Sequence, residues 1–298
     1  MNVMHHRPTI VYHLGAPQTD NDLLVKSLRW DTDLLAQNGV VARKPSQYRK
    51  TIQSFLEQMS EGSLSEELEI EYLQSLTKVE QVDRILLSDS NFLGFPAFTF
   101  SGNSFYGRAD IKTHRLRNLT PNCPVEFFIA IRDPATFVPA LANTGARKGD
   151  KNFLGGMNPL EIKWSNVINL IKQANPDCHI TVWADEDSPI LWPTLLQEFS
   201  GLDPAVTLQG SSDMLSSIMT EEGTNRLSAY LEEHPNLSIL QRRRIFAIFL
   251  DKFADLDQIE EEIELEGWNT PLMEALSEHY DDDMYEIERM QNVTFITP

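Results

Sequence analysis

The chain has 298 residues, of which 41% are apolar and 23% charged, an ordinary globular composition that excludes wholesale disorder and fibrous classes. Its net charge of −19 repels phosphate backbones and anionic lipid, so neither nucleic acid nor a membrane surface is an expected partner. The N-terminus has no apolar run of signal-peptide length and no stretch approaches ~20 consecutive apolar residues, so the expectation is a cytoplasmic protein.

Residues 9–14 are compact and β-branched and predict a first strand, ended by Gly15-Ala16-Pro17. A helix is expected from 20 or 21 to 37, with Leu23, Leu24, Leu28, Leu34 and Leu35 near helical spacing and Gly39 as its stop. Two further helices are expected near 46–60 and 65–80, the second capped by Ser63 or Ser65. Residues 84–88 form a second short apolar run. Residues 89–107 are irregular and rich in Ser, Asn, Phe and Gly, and a loop of that length is usually functional or a lid.

The third strand is 125–131, ending in Arg132-Asp133-Pro134, with a helix starting near Pro134. The fourth is 179–184, ending in Asp185-Glu186-Asp187. From about 213 the pattern is almost wholly helical. There, 238–254 sets an apolar face (Ile245, Ile248, Phe249, Phe253) against the basic run Arg242-Arg243-Arg244, and 293–296 reads as a short edge strand. Nearly all-apolar strands separated by helices predict an α/β fold, a parallel β-sheet with helices on both faces. No linker composition divides the chain, so residues 1–298 are read as one domain with a helical C-terminal third packed on it. The two cysteines, Cys123 and Cys178, give no disulfide framework and no zinc spacing.

A strand, a glycine turn and a helix together form a phosphate-binding geometry, because the helix N-terminus presents free N–H groups and the positive end of its dipole. Residues 11–24 have that shape. In the register of a nucleotide-triphosphate loop starting at Gly15, the second glycine falls on Asp20, the lysine on Asn21 and the hydroxyl residue on Asp22. That loop is therefore not functional, and a kinase reading fails on the missing lysine.

The segment instead resembles the phosphosulfate-binding loop of sulfotransferases, roughly His-Ile-Gly-x-Pro-Lys-Thr-Gly-Thr-Thr, with His13, Gly15, Pro17 and Thr19 matching in type and place. The third strand and its Arg132-Asp133-Pro134 resemble the family's second motif, whose arginine grips the donor's 3′-phosphate. Residues 86–90 resemble the strand end near the acceptor site. The resemblance covers about the first half of the chain, in the family's order. It implies a P-loop-like α/β fold and sulfuryl transfer from 3′-phosphoadenosine 5′-phosphosulfate, as co-substrate, to a hydroxyl or amine of a small-molecule or glycan acceptor. The donor site would be Gly15, Pro17, Gln18, Thr19, Asp20, Asn21, Asp22 and Arg132. His114, beside Arg115 and Arg117, is the candidate general base.

The departures fall where the chemistry is. The loop lysine is Gln18, the loop glycine is Asp20, the hydroxyl positions are Asn21 and Asp22, and the serine eight residues past the arginine is Ala140. Each carboxylate near a phosphate costs about 1–4 kcal/mol. The competing expectation is therefore a non-catalytic protein of the same fold that has lost the donor.

Several residues have a bland reading beside the sharp one. Asp20 or Asp22 can cap the helix that phosphate would otherwise bind. With Asp185 and Asp187 they could instead hold a divalent cation at the strand ends, but no metal set is assigned. His13 reads as a core histidine, Asp281-Asp282-Asp283 as helix surface, and the loop phenylalanines 92, 95, 98, 100 and 105 as a local cluster. Arg147-Lys148-Gly149 offers loop charge. Arg242-Arg243-Arg244 reads as a solvated face paired with the acidic segment 255–266.

Overall fold

A computed structural model describes residues 7–20, 22–59, 62–79, 81–144, 150, 152–259 and 265–298. Six strands form one sheet in the order β2-β3-β1-β4-β5-β6, where β1 is Thr9–His13, β2 Val40–Ala42, β3 Arg84–Ser88, β4 Val125–Ile131, β5 His179–Ala184 and β6 Val293–Ile296. Every pairing is parallel. The four strands expected from their apolar runs are contiguous, and the short β6 adds to the edge beside β5. The sequence reading lacked β2. Three residues are too few to show a period, and only pairing with β3 identifies them as a strand.

The two-residue period of the strands sorts their side chains between two cores. Ile10, Tyr12, Ile85, Leu87, Phe127, Ile129, Ile180 and Val182 face one side. Helices Arg49–Gln58, Glu66–Leu76, Pro134–Ala142 and Trp164–Ala174 supply apolar residues to that core. Val11, Leu86, Phe128, Ala130 and Trp183 face the other, under Leu23–Leu28 and Ser188–Ser200. Both faces are therefore dry, which is why the strands read as continuous apolar runs rather than alternating ones. Each buried Leu, Ile or Phe contributes about 1.5–3 kcal/mol.

The helical C-terminal part packs on both sides. Helix Ile239–Phe253 lies against Ser188–Ser200, and Thr270–Glu288 lies against Pro134–Ala142 and Trp164–Ala174. A small third core of Leu215, Met219, Leu227 and Phe246 joins the helices of the C-terminal part.

Three expectations are corrected. The helix 20–37 is two pieces, Leu23–Leu28 and Thr32–Gln37, around a 3-10 turn at Arg29–Asp31, where the Asp31 carboxylate accepts the Gln209 N–H at 2.7 Å. In Ile239–Phe253 the buried residues are Arg242 and Phe246, while Ile248 is 57% exposed. Asp283 is buried, not surface. Its Oδ2 accepts the N–H groups of Trp164 (2.6 Å) and Ser165 (3.2 Å), capping the helix that begins there. Cys123 and Cys178 are buried and unbridged. Among the described residues no helix is long and apolar enough to cross a membrane.

Candidate functional site

In an open parallel sheet, ligands lie outside the carboxyl ends of the strands, where the strand order reverses. Here the chain leaves β1 between its two neighbours β3 and β4, and the loop after it crosses that switch point. Leu14 N–H donates to Phe128 O and Ala130 N–H to Gly15 O, carrying the β1–β4 pairing two residues past the strand. Gly15 has φ +91°, and a Cβ there would sit 2.7 Å from Ser90 Cα, so only glycine lets the loop pass the end of β3. Gln18 and Asp22 also adopt left-handed backbone, φ 62° and 66°.

Asp20 decides what this loop offers a ligand. It is 5% exposed; its carbonyl accepts Leu23 N–H at 2.8 Å and its Oδ2 accepts Leu24 N–H at 2.8 Å. The self-capping read from the sequence thus falls on Asp20. Asp22, at the helix start, makes no side-chain cap. The carboxylate takes an N–H group that an incoming phosphate would need. Thr19 Oγ1 donates back to Ala16 O at 2.6 Å, folding the loop on itself. Asn21 lies outside the described residues.

Arg132 follows β4 and reaches the same loop. Its Nη1 donates to Gln18 O at 2.6 Å and its Nε to Thr136 Oγ1 at 3.1 Å, while its own carbonyl accepts the Trp164 indole N–H at 2.8 Å. Asp133 caps helix Pro134–Ala142 through Ala135 N–H and accepts Ser277 Oγ–H at 2.5 Å on its other oxygen. Its N–H donates to Glu186 Oε1 at 2.8 Å, and Tyr280 O–H donates to Glu186 Oε2 at 3.2 Å. The turn after β4, the turn after β5 and the C-terminal helix Thr270–Glu288 are therefore locked together.

Between these turns lies a cleft of about 440 Å³, lined by Gln18, Thr19, Arg132, Thr136, Asp185 and Glu186 and flanked by Met214, Ile218 and Ile259. Asp185 is its most perturbed group. Burial, then the neighbouring Glu186 charge, push its carboxyl up to about 8 against the opposing pull of Arg132. Its Oδ1 accepts Ser188 Oγ–H at 3.3 Å. Glu186 is raised as well, chiefly by burial, and Asp22 likewise. The sequence reading weighed Asp185 only as a metal ligand. Among the described residues no group of three or more His, Cys, Asp or Glu side chains is arranged to hold a metal ion.

Other sequence candidates fall elsewhere. His114 donates its Nδ1–H to Ala174 O (3.0 Å) and accepts the Asn118 amide N–H at Nε2 (2.9 Å). Ala174 ends a helix just before β5 begins, so His114 stands at the amino edge of the sheet, across the molecule from Arg132, and is not brought to the cleft. His13 is a core residue. Its Nδ1 pairs with Ser88 Oγ at 2.9 Å, its ring stacks on Trp183, and burial holds its pKa below the ordinary value. The basic segment 145–149 lies outside the described residues.

Sequence reasoning missed Arg49, which forms a two-point ion pair with Asp89 at the end of β3 (2.5 and 3.1 Å). Only the packing of Arg49–Gln58 over that strand end brings the two together. The loop phenylalanines divide. Phe100 and Phe105 stack and pack toward Trp164, whereas Phe95 and Phe98 are exposed.

Comparison of the chain with protein-family models, with curated proteins and with solved structures gives no match.

Proposed function

We propose that this chain is a binding protein of sulfotransferase-like architecture. Its loop after β1 no longer accepts a phosphosulfate donor, and its cleft takes a small hydroxyl- or amine-bearing molecule. The observation that carries this reading is the Asp20 carboxylate on Leu24 N–H, an internal anion seated where an external one would bind. Gln18 supplies no positive charge, and its carbonyl already engages Arg132. Asp185 and Glu186 put acceptors, not cations, on the opposite wall. A volume of about 440 Å³ suits a molecule of monosaccharide size.

The alternative is an active sulfotransferase transferring a sulfuryl group to that same acceptor. It is favoured by one observation: Gln18, Thr19 and Arg132 line a single cleft at the strand ends. In that case the donor would have to displace the Asp20 cap, and Asp185, rather than His114, would be the group placed to take the acceptor's proton.

Calorimetric titration separates the two. The binding-protein reading expects no heat from 3′,5′-adenosine bisphosphate, the desulfated donor product, at millimolar concentration. It expects a saturable signal from glucosamine that Asp185→Asn weakens. Bisphosphate binding in the micromolar range would establish the transferase reading instead.

A further inference from the structure

A cavity of about 590 Å³ lies away from the cleft at the strand ends. It is walled by Pro193 in helix Ser188–Ser200, by Val206 and Leu208 in the following loop, and by Leu237, Ile239 and Arg242 at the start of helix Ile239–Phe253. Ser188 starts the first of these helices beside Asp185. Gln197, nine residues on and also in the cavity wall, stands roughly 13 Å along the helix from it.

Arg242 is the anomaly of this cavity. It is only 6% exposed, in a place where a charged side chain is expected to be paired. Its hydrogen bonds go to neutral oxygens alone: Thr207 Oγ1 and the carbonyls of Pro235 and Leu237, each at 3.4 Å. These are long for a guanidinium, whose contacts with carboxylates run at about 2.7–2.9 Å. Burial pulls its pKa below the ordinary value, with no acid group opposing that pull. The two arginines that follow are placed differently. Arg243 donates to Thr297 O and Arg244 is exposed. The basic run is therefore not one solvated face; it delivers one buried guanidinium to a cavity.

The N-terminal end of Ile239–Phe253 meets the same space. Ser238 and Gln241 cap each other reciprocally, and the dipole of this fifteen-residue helix adds positive potential beside Arg242. The remaining wall is mainly apolar. A positive, buried, planar donor at one end of an apolar cavity fits a ligand with a carboxylate head and a hydrocarbon body.

We infer that this cavity is a second binding site, for a small amphipathic carboxylate held by Arg242 with its apolar body against Val206, Leu208 and Ile239. The carboxylate supplies the paired acceptor oxygens that the fold withholds from Arg242. The apolar body covers the half-buried side chains of Val206 and Ile239 and packs on the buried Leu208.

The test uses the full chain with sodium octanoate as probe, followed by calorimetry, and 1-octanol as the uncharged control. Wild type should bind octanoate saturably in a 1:1 ratio, and octanol about tenfold or more weakly, since the charge-assisted contact is missing. Arg242→Gln should lower octanoate affinity by a similar factor. Arg242 also ties down the loop at Pro235 and Leu237, so its replacement could unfold the C-terminal helices. A second variant avoids this: Ala205→Trp, at an exposed lining position, leaves Arg242 in the sequence, puts an indole into the cavity and should abolish binding. The inference is overturned by absence of saturable octanoate binding to wild type at millimolar concentration. It is equally overturned if octanol binds as tightly, or if octanoate binding survives Ala205→Trp in a folded variant.

Discussion

Replacing Asp20 tests how the loop after β1 works. Two roles are joined in that carboxylate: it caps Leu24 N–H at 2.8 Å, and it is a negative charge near Asp22 and Asp185. Asp20→Asn keeps an acceptor oxygen in place and removes the charge. Asp20→Ala removes both. Loss of an aspartate cap costs about 1 kcal/mol, within a range of roughly 0.5–2. For a chain of this length that is about 2 °C in Tm. The lost charge works the other way, because two raised carboxyls lose a like-charged neighbour. The Asn variant should therefore match or slightly exceed wild type in thermal unfolding at neutral pH, and the Ala variant should fall below the Asn variant by about the cap energy. In both, the Asp185 carboxyl, followed by carbon-13 NMR, should titrate below its wild-type position near 8. If Ala and Asn variants are equally stable, the Leu24 contact contributes nothing. If Asp185 does not move in either, Asp20 is not part of its electrostatic environment.

Further outcomes follow from the same geometry. Asp185 has a folded pKa raised above its unfolded one, so its folded form binds more protons between about pH 4 and 8, and stability falls as pH rises through that window. Asp185→Asn should flatten this slope in denaturant titrations: equal to wild type near pH 4, and more stable than wild type near pH 9. Gly15→Ala should destabilise by about 1–3 kcal/mol, since its Cβ meets Ser90 Cα at 2.7 Å in left-handed backbone; a neutral result in thermal unfolding would mean that the loop can shift freely. His114→Ala should leave the glucosamine titration unchanged, because His114 stands at the opposite edge of the sheet; a large loss of affinity would place it in the cleft after all.

Much of the fold is legible because both faces of the sheet are buried. Strands β1, β3, β4 and β5 are continuous apolar runs, and the motif residues at their ends need only the parallel direction to share an edge. That is how Gln18, Thr19 and Arg132 come into one cleft from positions more than a hundred residues apart. What the sequence leaves hidden depends on which neighbour a side chain meets. Asp283 looks like one of three surface acids until helix Trp164–Ala174 presents its N-terminus to it. Arg242 and Ile248 exchange their expected environments because the helix carrying them packs through Phe246. Arg49 finds Asp89 across forty residues with no motif to announce the pair. His114 carries the right chemistry on a helix whose position in the layer, not its sequence, takes it away from the strand ends.

The proposal that Asp20 closes the loop after β1 to a phosphosulfate donor is tested most directly by one calorimetric comparison. Wild type and the triple variant Gln18→Lys/Asp20→Gly/Asp22→Thr are titrated with 3′,5′-adenosine bisphosphate. The variant exchanges two negative charges and one neutral amide for a single positive charge, and it frees Leu24 N–H for a phosphate oxygen. Wild type should show no binding, and the variant should show binding that added salt weakens. Binding to wild type as tight as to the variant would contradict that proposal.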